Sequence, residues 1–253
     1  MTSNQILNLV FHLAGPTIIW LFICLWWDRK QPEPNRQIVR TFFLGGLVAA
    51  LLTFINIPLT EYIKKVFFGP EILLILILSF LVDGLIEEGG KLICFKSTVY
   101  HYQSFDEPVD GMIYGIILGL GFAFTENIFY AFAIKNISLA ADILLLRGLT
   151  TTFMHFIAGG IIGYYFTLSK FSLGKKFFPI FQGFILAVFF HGFYNVLSRL
   201  NQPLFLYLLA ILLIIIFIFM FRKILHLRKI EVNLLALMER PQFHLVERDK
   251  QAS

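Results

Sequence analysis

Two neighbouring carboxylates and a lysine stand near the end of a long apolar run. Residues 87–91 read Glu-Glu-Gly-Gly-Lys, and the run before them is almost entirely Ile, Leu, Phe and Val. In an α-helix, Asp83, Glu87 and Lys91 share one stripe, because residues four apart lie on the same face. Glu88 lies about 100° further round the helix. The adjacent carboxylates repel each other, and Lys91 has the spacing to compensate either of them.

Charges are costly inside an apolar segment, so this group should face a protein interior or a water-filled cavity. A solvated helix end is the simplest alternative. Polar residues on three other apolar segments argue against that alternative. The first of these segments carries Glu126 and Asn127 beyond glycines at 111, 115 and 119. On the other two, polar or small residues recur every four positions: Arg147, Thr151, His155, Gly159 and Gly163, then Ala187, His191, Asn195 and Arg199.

Carboxylates, imidazoles and an amide that meet in one cavity can support hydrolysis. A carboxylate can take a proton from water and make it a nucleophile toward a carbonyl carbon. Histidine and asparagine can donate hydrogen bonds to the resulting oxyanion, worth about 3–4 kcal/mol per donor. Alternatively, two histidines and a glutamate form a catalytic zinc set, here His155, His191 and Glu126 if a metal is used. The sequence shows no evident Ser-His-Asp or Cys-His arrangement.

The composition indicates the surroundings of these residues. The chain has 253 residues, of which 58% are hydrophobic and 15% charged, and its mean hydropathy is +0.77. These values predict an all-α, polytopic transmembrane helix bundle with a polar intramembrane cavity. The net charge of +5 needs no nucleic-acid partner, because the basic residues concentrate in short loops, as membrane orientation requires.

About seven spans are expected. We place them at residues 6–27, 38–59, 71–100, 109–134, 141–168, 178–200 and 203–221, with an external loop at 60–69 and a basic loop at 169–176. The first is expected to be a retained span rather than a signal peptide. Basic loop residues predict an N-terminus outside and a C-terminus inside the cell. Residues 1–222 would form the membrane domain and 223–253 a cytoplasmic basic-amphipathic tail.

The motifs resemble those of the PrsW family of intramembrane proteases, within the wider group of CAAX prenyl protease and bacteriocin-processing enzymes. The resemblance covers about residues 28–195. It comprises a Pro-Glu-Pro turn at 32–34, Glu-Glu-x-x-Lys at 87–91, Phe-Ala-x-x-Glu-Asn at 122–127 and His-x-x-x-Asn at 191–195. Each motif is short, and their order within separate apolar spans carries the resemblance.

The resemblance implies a role for each site residue. Glu87 would be the general base, tuned by Glu88 and Lys91. His155 would help to hold the attacking water, and His191 and Asn195 would supply the oxyanion site, while Glu126 and Asn127 belong to the PrsW pattern without an assigned role. Compared with the wider group, Lys91 stands one position earlier than an arginine, and Thr151 replaces a phenylalanine.

The resemblance further implies an integral-membrane endopeptidase of the bacterial plasma membrane. Its substrate would be a single-span, anti-sigma-factor-like protein cleaved near the membrane surface in a stress response. A metal-free glutamate mechanism and a metal mechanism, with zinc as the candidate, both remain open. Two other functions are considered from the residues alone: a proton- or ion-coupled transporter, and a non-catalytic scaffold that binds partners through its glycine face at 111, 115 and 119. The oligomeric state is not predicted.

Overall fold

The computed structural model describes residues 3–29, 31–171, 177–200 and 203–238, and its regular elements are all helical in these ranges. The α-helices are α1 (Ser3–Trp27), α2 (Asn35–Val66), α3 (Glu71–Ile77), α4 (Glu88–Ser97), α5 (Asp110–Ala133), α6 (Ile137–Leu149), α7 (Thr151–Phe171), α8 (Phe177–Leu200) and α9 (Pro203–Met238). A π-helical segment, Leu78–Glu87, joins α3 to α4, and a 3₁₀ turn, Val99–His101, follows α4. The predicted all-α class is confirmed.

Six segments within the described ranges are long and apolar enough to cross a membrane. They are Ser3–Trp27, Asn35–Val66, Asp110–Ala133, Ile137–Phe171, Phe177–Leu200 and Tyr207–Ile230. The composite helix from α3 to α4, which has the length of a span, adds a seventh. Large apolar side chains such as Phe54, Phe43 and Phe22 are mostly exposed, as expected of a surface that faces lipid. The chain is a multi-pass membrane protein, as predicted.

Two predicted boundaries are wrong. Helix α2 continues to Val66, through most of the loop that was predicted at 60–69. An amphiphilic composition does not end a helix by itself, and the end comes just before Gly69 and Pro70, which are strong helix breakers. The predicted fifth span is two helices, because α6 and α7 are separated by a turn at Thr150.

The centre of the bundle is the antiparallel pair α5 and α7. Glycines at 111, 115 and 119 of α5 lie against the backbone of α7 at Gly163, Gly159 and His155. A Cβ atom at any of the three would collide with backbone atoms of α7, so close helix packing requires glycine here. The glycine face that a scaffold would present to partners is therefore used within the chain itself.

Helix α9 runs without interruption across the predicted domain boundary at 222/223. Ile224 and Leu227, beyond that boundary, are buried in the bundle, and Arg228 donates a hydrogen bond to the carbonyl oxygen of Trp27. The division into a membrane domain and a tail stays a prediction. Residues 172–176 of the predicted basic loop and 239–253 of the predicted tail lie outside the described residues.

Candidate active site

A cavity of about 370 Å³ opens between α2, the π-helical segment, α5 and α8. Helix α2 contributes one face, since its lining residues recur every three to four positions. The lining residues are Ala49, Leu52, Thr53, Asn56, Ile57, Thr60, Glu61, Lys64, Asp83, Glu87, Phe122, Glu126, Phe129, Tyr130, Ala133 and Arg199. The cavity extends from Glu87 and Glu126 to the helix ends near Lys64, Ala133 and Arg199. The predicted cavity with polar lining residues is therefore present inside the bundle.

Glu87 ends the π-helical segment and forms part of the cavity wall. Its Oε1 accepts a hydrogen bond from Nδ2 of Asn56 at 3.2 Å. Its Oε2 is buried and has no hydrogen-bond partner among the described residues. Nε2 of His191 lies 3.9 Å from that oxygen, too far for a hydrogen bond. Glu87 thus has one oxygen held by the protein and one directed at the imidazole.

Glu88 and Lys91 form a fully buried ion pair beneath Glu87. Nζ of Lys91 donates to Oε1 of Glu88 at 2.7 Å, and both side chains are 0% exposed. The same Glu88 oxygen lies 2.6 Å from Nδ1 of His191. Asp83 and Glu87 line the cavity, whereas Lys91 is buried against Glu88, so the predicted stripe of Asp83, Glu87 and Lys91 is divided.

His155 lies between Lys91 and Glu126. Its Nδ1 is 2.8 Å from Nζ of Lys91, and its Nε2 is 3.0 Å from Oε2 of Glu126. An ammonium group can only donate, so Nδ1 of a neutral His155 accepts and its Nε2–H donates to Glu126. The rings of His155 and His191 are perpendicular, with centroids 5.1 Å apart.

Glu126 and Asn127 hold Arg147, which comes from α6. Nη2 of Arg147 lies 2.9 Å from Oε1 of Glu126, and its Nε donates to Oδ1 of Asn127 at 2.8 Å. The guanidinium group stacks 3.5 Å from the ring centroid of Tyr130. Asn127 also donates to Oγ1 of Thr152 at 3.0 Å. Glu126 therefore connects His155 to a partly buried cation.

Asn195, the predicted oxyanion donor, donates one of its amide hydrogens to Asp83. Its Nδ2 donates to Oδ2 of Asp83 at 2.8 Å. Arg199 shares that oxygen at 2.6 Å and also donates to Oγ of Ser79 at 2.7 Å. The second N–H of the Asn195 amide is not used in this contact.

Comparisons with known proteins decide the family. A family model described as "PrsW family intramembrane metalloprotease" matches residues 33–221. The chain belongs to the PrsW family. Protease PrsW of Geobacillus kaustophilus is 31% identical over 66% of this chain and 69% of its own length. Protease PrsW of Clostridioides difficile is 28% identical over 77% of this chain and 81% of its own length. No solved structure matches significantly. This PrsW-family chain is therefore an intramembrane peptidase rather than a transporter or a scaffold.

A metal implied by the PrsW family description can be tested against the donor atoms. Glu87, His155 and His191 are buried and each offers a ligand atom, and these atoms lie within 4.8 Å of one another. Two imidazoles and one carboxylate form a donor set that suits zinc. The Glu88 contact to Nδ1 of His191 is the support that a ligating histidine usually has. The residues therefore fit a divalent metal. Within the described residues this group contains Glu87 rather than Glu126, so Glu126 as a ligand stays a prediction.

Three residues that contact this PrsW-family site were not assigned a role in it from the sequence, although Asp83 and Arg147 were placed on its polar stripes. Asn56 contacts Glu87 from α2, Arg147 holds the Glu126-Asn127 pair, and Asp83 receives Asn195. A polar side chain inside an apolar span was the available signal for each. Asn56 is an amide between two isoleucines in the second span, and this signal was missed.

Proposed function

We propose that this chain cleaves a membrane-anchored protein by attack of water on a peptide bond, with Glu87 as the general base. The observation that carries the proposal is the convergence of Glu87, His155 and His191 within 4.8 Å beside the cavity. These residues come from the π-helical segment, α7 and α8. Polar groups from three spans that meet at a cavity inside an apolar bundle are expected at a catalytic site.

The reaction uses the free oxygen of Glu87. Oε2 takes a proton from water while the water oxygen forms a bond to the scissile carbonyl carbon. The protonated carboxyl then gives that proton to the peptide nitrogen as the C–N bond breaks, which releases an amine and a carboxylic acid. Glu87 returns to its ionised form, so the cycle is balanced in protons.

His191 and Asn195 would assist at neighbouring positions. Nδ1–H of His191 donates to Glu88, so Nε2 of the neutral ring carries a lone pair and accepts a hydrogen bond from the attacking water. The predicted donor role at the oxyanion requires the imidazolium, which the Glu88 carboxylate would stabilise. Asn195 would use its second N–H to donate to the oxyanion.

Glu87, His155 and His191 are the residues that would hold a divalent metal such as zinc. When bound, such an ion supplies Lewis-acid activation of water and of the carbonyl group. Glu88 would keep Nδ1 of His191 protonated and so leave Nε2 as the ligand. If His155 held the ion through Nε2, this nitrogen would give up its hydrogen bond to Glu126.

The substrate we propose is a single-span, anti-sigma-factor-like protein of the bacterial plasma membrane, cleaved in a stress response. Family membership and the bacterial relatives support this class. The cavity reaches from Glu87 to Lys64 and Arg199 near helix ends, which suits a peptide bond close to the membrane surface. The distribution of basic loop residues supports an external N-terminus and an internal C-terminus.

The decisive test is Glu87→Gln in purified protein, reconstituted with a single-span reporter substrate. Loss of the base should lower kcat by about 10²–10⁴-fold. Glu71→Gln is the matched control, because Glu71 is an exposed carboxylate at the start of the same span. Equal activity of both variants would remove Glu87 from the mechanism.

Metal analysis of the same preparation decides between the two forms of the mechanism. A metal-dependent enzyme should contain about one ion per chain, lose cleavage on chelation and regain it with added zinc. His155→Ala and His191→Ala should then lose the ion as well. A preparation without metal that cleaves fully in chelator supports the metal-free glutamate mechanism.

A further inference from the structure

Asn56 is a polar residue in an otherwise apolar turn of α2. Its neighbours Ile55 and Ile57 are mostly exposed, and Ile57 also lines the cavity. The Asn56 side chain faces the cavity as well, and there its Nδ2 donates to Oε1 of Glu87 at 3.2 Å. Asn56 thus contacts the carboxyl group of Glu87, the proposed general base, from a helix that carries none of the family motifs.

Docking of α2 onto the bundle does not explain the amide. Gly45 of α2 lies against the backbone of Leu118, and Gly121 of α5 lies against the backbone of Phe42. These backbone contacts hold the helix pair at a distance of about three to four turns from Asn56. Oδ1 of Asn56 is buried and has no hydrogen-bond partner within the described part of the chain. A residue kept only for packing would more favourably be apolar at this position.

Resting on the proposed role of Glu87, we propose that Asn56 is a positioning residue for proteolysis. Its N–H holds Oε1 of Glu87, which fixes the rotation of the carboxyl group and keeps Oε2 on the His191 side. Without the amide the carboxyl group can rotate, and the oxygen that takes the proton leaves its place. The role is the same whether Glu87 acts as a base or as a metal ligand, because both need a fixed oxygen.

Asn56→Leu tests the inference, since leucine is of similar size and favourable in a membrane span. Removal of a residue that supports a reacting group typically costs tenfold to 100-fold in activity. We expect kcat to fall by about that factor, with KM for a single-span reporter unchanged. Asn56→Gln, which keeps the amide, should restore a substantial part of kcat.

Asn8→Leu is the matched control, because it makes the same replacement at an exposed position of α1 that does not line the cavity, and it should leave kcat unchanged. Thermal unfolding in detergent provides a second measurement. A positioning role predicts that Asn56→Leu unfolds no earlier than wild type. A lower unfolding temperature with parallel changes in kcat and KM would show a structural role and overturn the inference, as would an unchanged kcat.

Glu87→Gln measured in parallel separates the two proposals. An inactive Glu87→Gln with a fully active Asn56→Leu overturns only the role of Asn56. A fully active Glu87→Gln overturns the proposed function, and the role of Asn56 with it. Reduced kcat in Asn56→Leu, recovery in Asn56→Gln and an inactive Glu87→Gln together support both.

Discussion

Among the described residues, carboxylates are buried at two places in the bundle, and the two places are organised differently. One is the Glu87 cluster, which we define as Glu87, Glu88, Lys91, Glu126, His155 and His191. The other, the Glu33 cluster, consists of Asp28, Glu33, Ser104, Asp110 and Tyr114, where the loop after α1 meets the start of α5. Asp110 and Glu126 lie 16 positions apart on α5, which is about 24 Å along the helix axis.

In the Glu33 cluster, backbone and hydroxyl donors satisfy the acids. Asp28 accepts from the N–H of Glu33 at 2.8 Å, and Asp110 accepts from the N–H groups of Asp106 and Glu107 at 3.0 and 2.6 Å. Tyr114 donates to Glu33 and contacts Ser104. These bonds tie loops to helices, which is a structural role.

The Glu87 cluster instead pairs acids with imidazoles and a lysine, and leaves Oε2 of Glu87 without a hydrogen bond in the described part of the chain. A buried acid therefore does not by itself mark a site of chemistry. A free carboxylate oxygen beside an imidazole and a cavity is the more informative feature. Three experiments test this difference between the two clusters.

The largest expected effect concerns the buried charges. Lys91→Met should destabilise the protein by about 3–5 kcal/mol, because it leaves Glu88 as an uncompensated buried anion. Adding Glu88→Gln should recover part of that loss, since the double variant buries no charge at the pair. Thermal unfolding in detergent measures both. A double variant less stable than Lys91→Met would contradict the explanation.

A smaller effect, on activity, separates the two clusters directly. Glu88→Gln should lower kcat by about tenfold to 100-fold, because Glu88 orients His191. Glu33→Gln removes another buried glutamate and should leave kcat within about twofold, since Glu33 lies about 24 Å from the Glu87 cluster along the bundle. Cleavage of the reporter substrate measures both variants. Equal losses would mean that the Glu33 cluster contributes to catalysis.

The smallest effect is a pH dependence of stability that belongs to the Glu33 cluster. Burial raises the pKa of Asp28 from an ordinary value of 3.8 to about 6, and burial also raises the pKa of Glu33. A carboxyl whose pKa is higher in the folded state stabilises it fully below about pH 4, and this contribution is lost as the pH rises through about 6. The unfolding temperature should therefore fall by a few degrees over that range.

Asp28→Asn should flatten part of this slope, because the amide can still accept from the N–H of Glu33 but does not titrate. Asp142→Asn is the control, since Asp142 is exposed. An unchanged slope in Asp28→Asn would show that Asp28 does not hold the extra proton.

Much of the architecture follows from the sequence. Apolar runs predict seven spans, and the cost of charge in lipid predicts that Glu87, His155 and His191 turn inward. Family membership confirms the peptidase. The individual roles of the eight predicted site residues stay proposals, because geometry alone does not measure activity.

Other features could not be predicted from spacing. The turn at Thr150 interrupts a four-residue repeat that continues on both sides of it, and the end of α2 at Val66 follows from the breakers Gly69 and Pro70 rather than from polarity. The spacing assumes α-helical winding throughout and therefore does not reveal the π-helical segment from Leu78 to Glu87. Asn56 carries no repeat or motif, and only its contact with Glu87 shows why an amide stands there.

The π-helical segment from Leu78 to Glu87 has a consequence for how this stretch can vary in length. If the winding stays the same, loss or gain of a single residue there would rotate everything downstream by roughly a quarter of a revolution. Glu88 would then no longer face His191, although every residue of the motif would still be present. Single-residue insertions and deletions would therefore disconnect the acid pair from its imidazole, whereas substitutions leave the register unchanged.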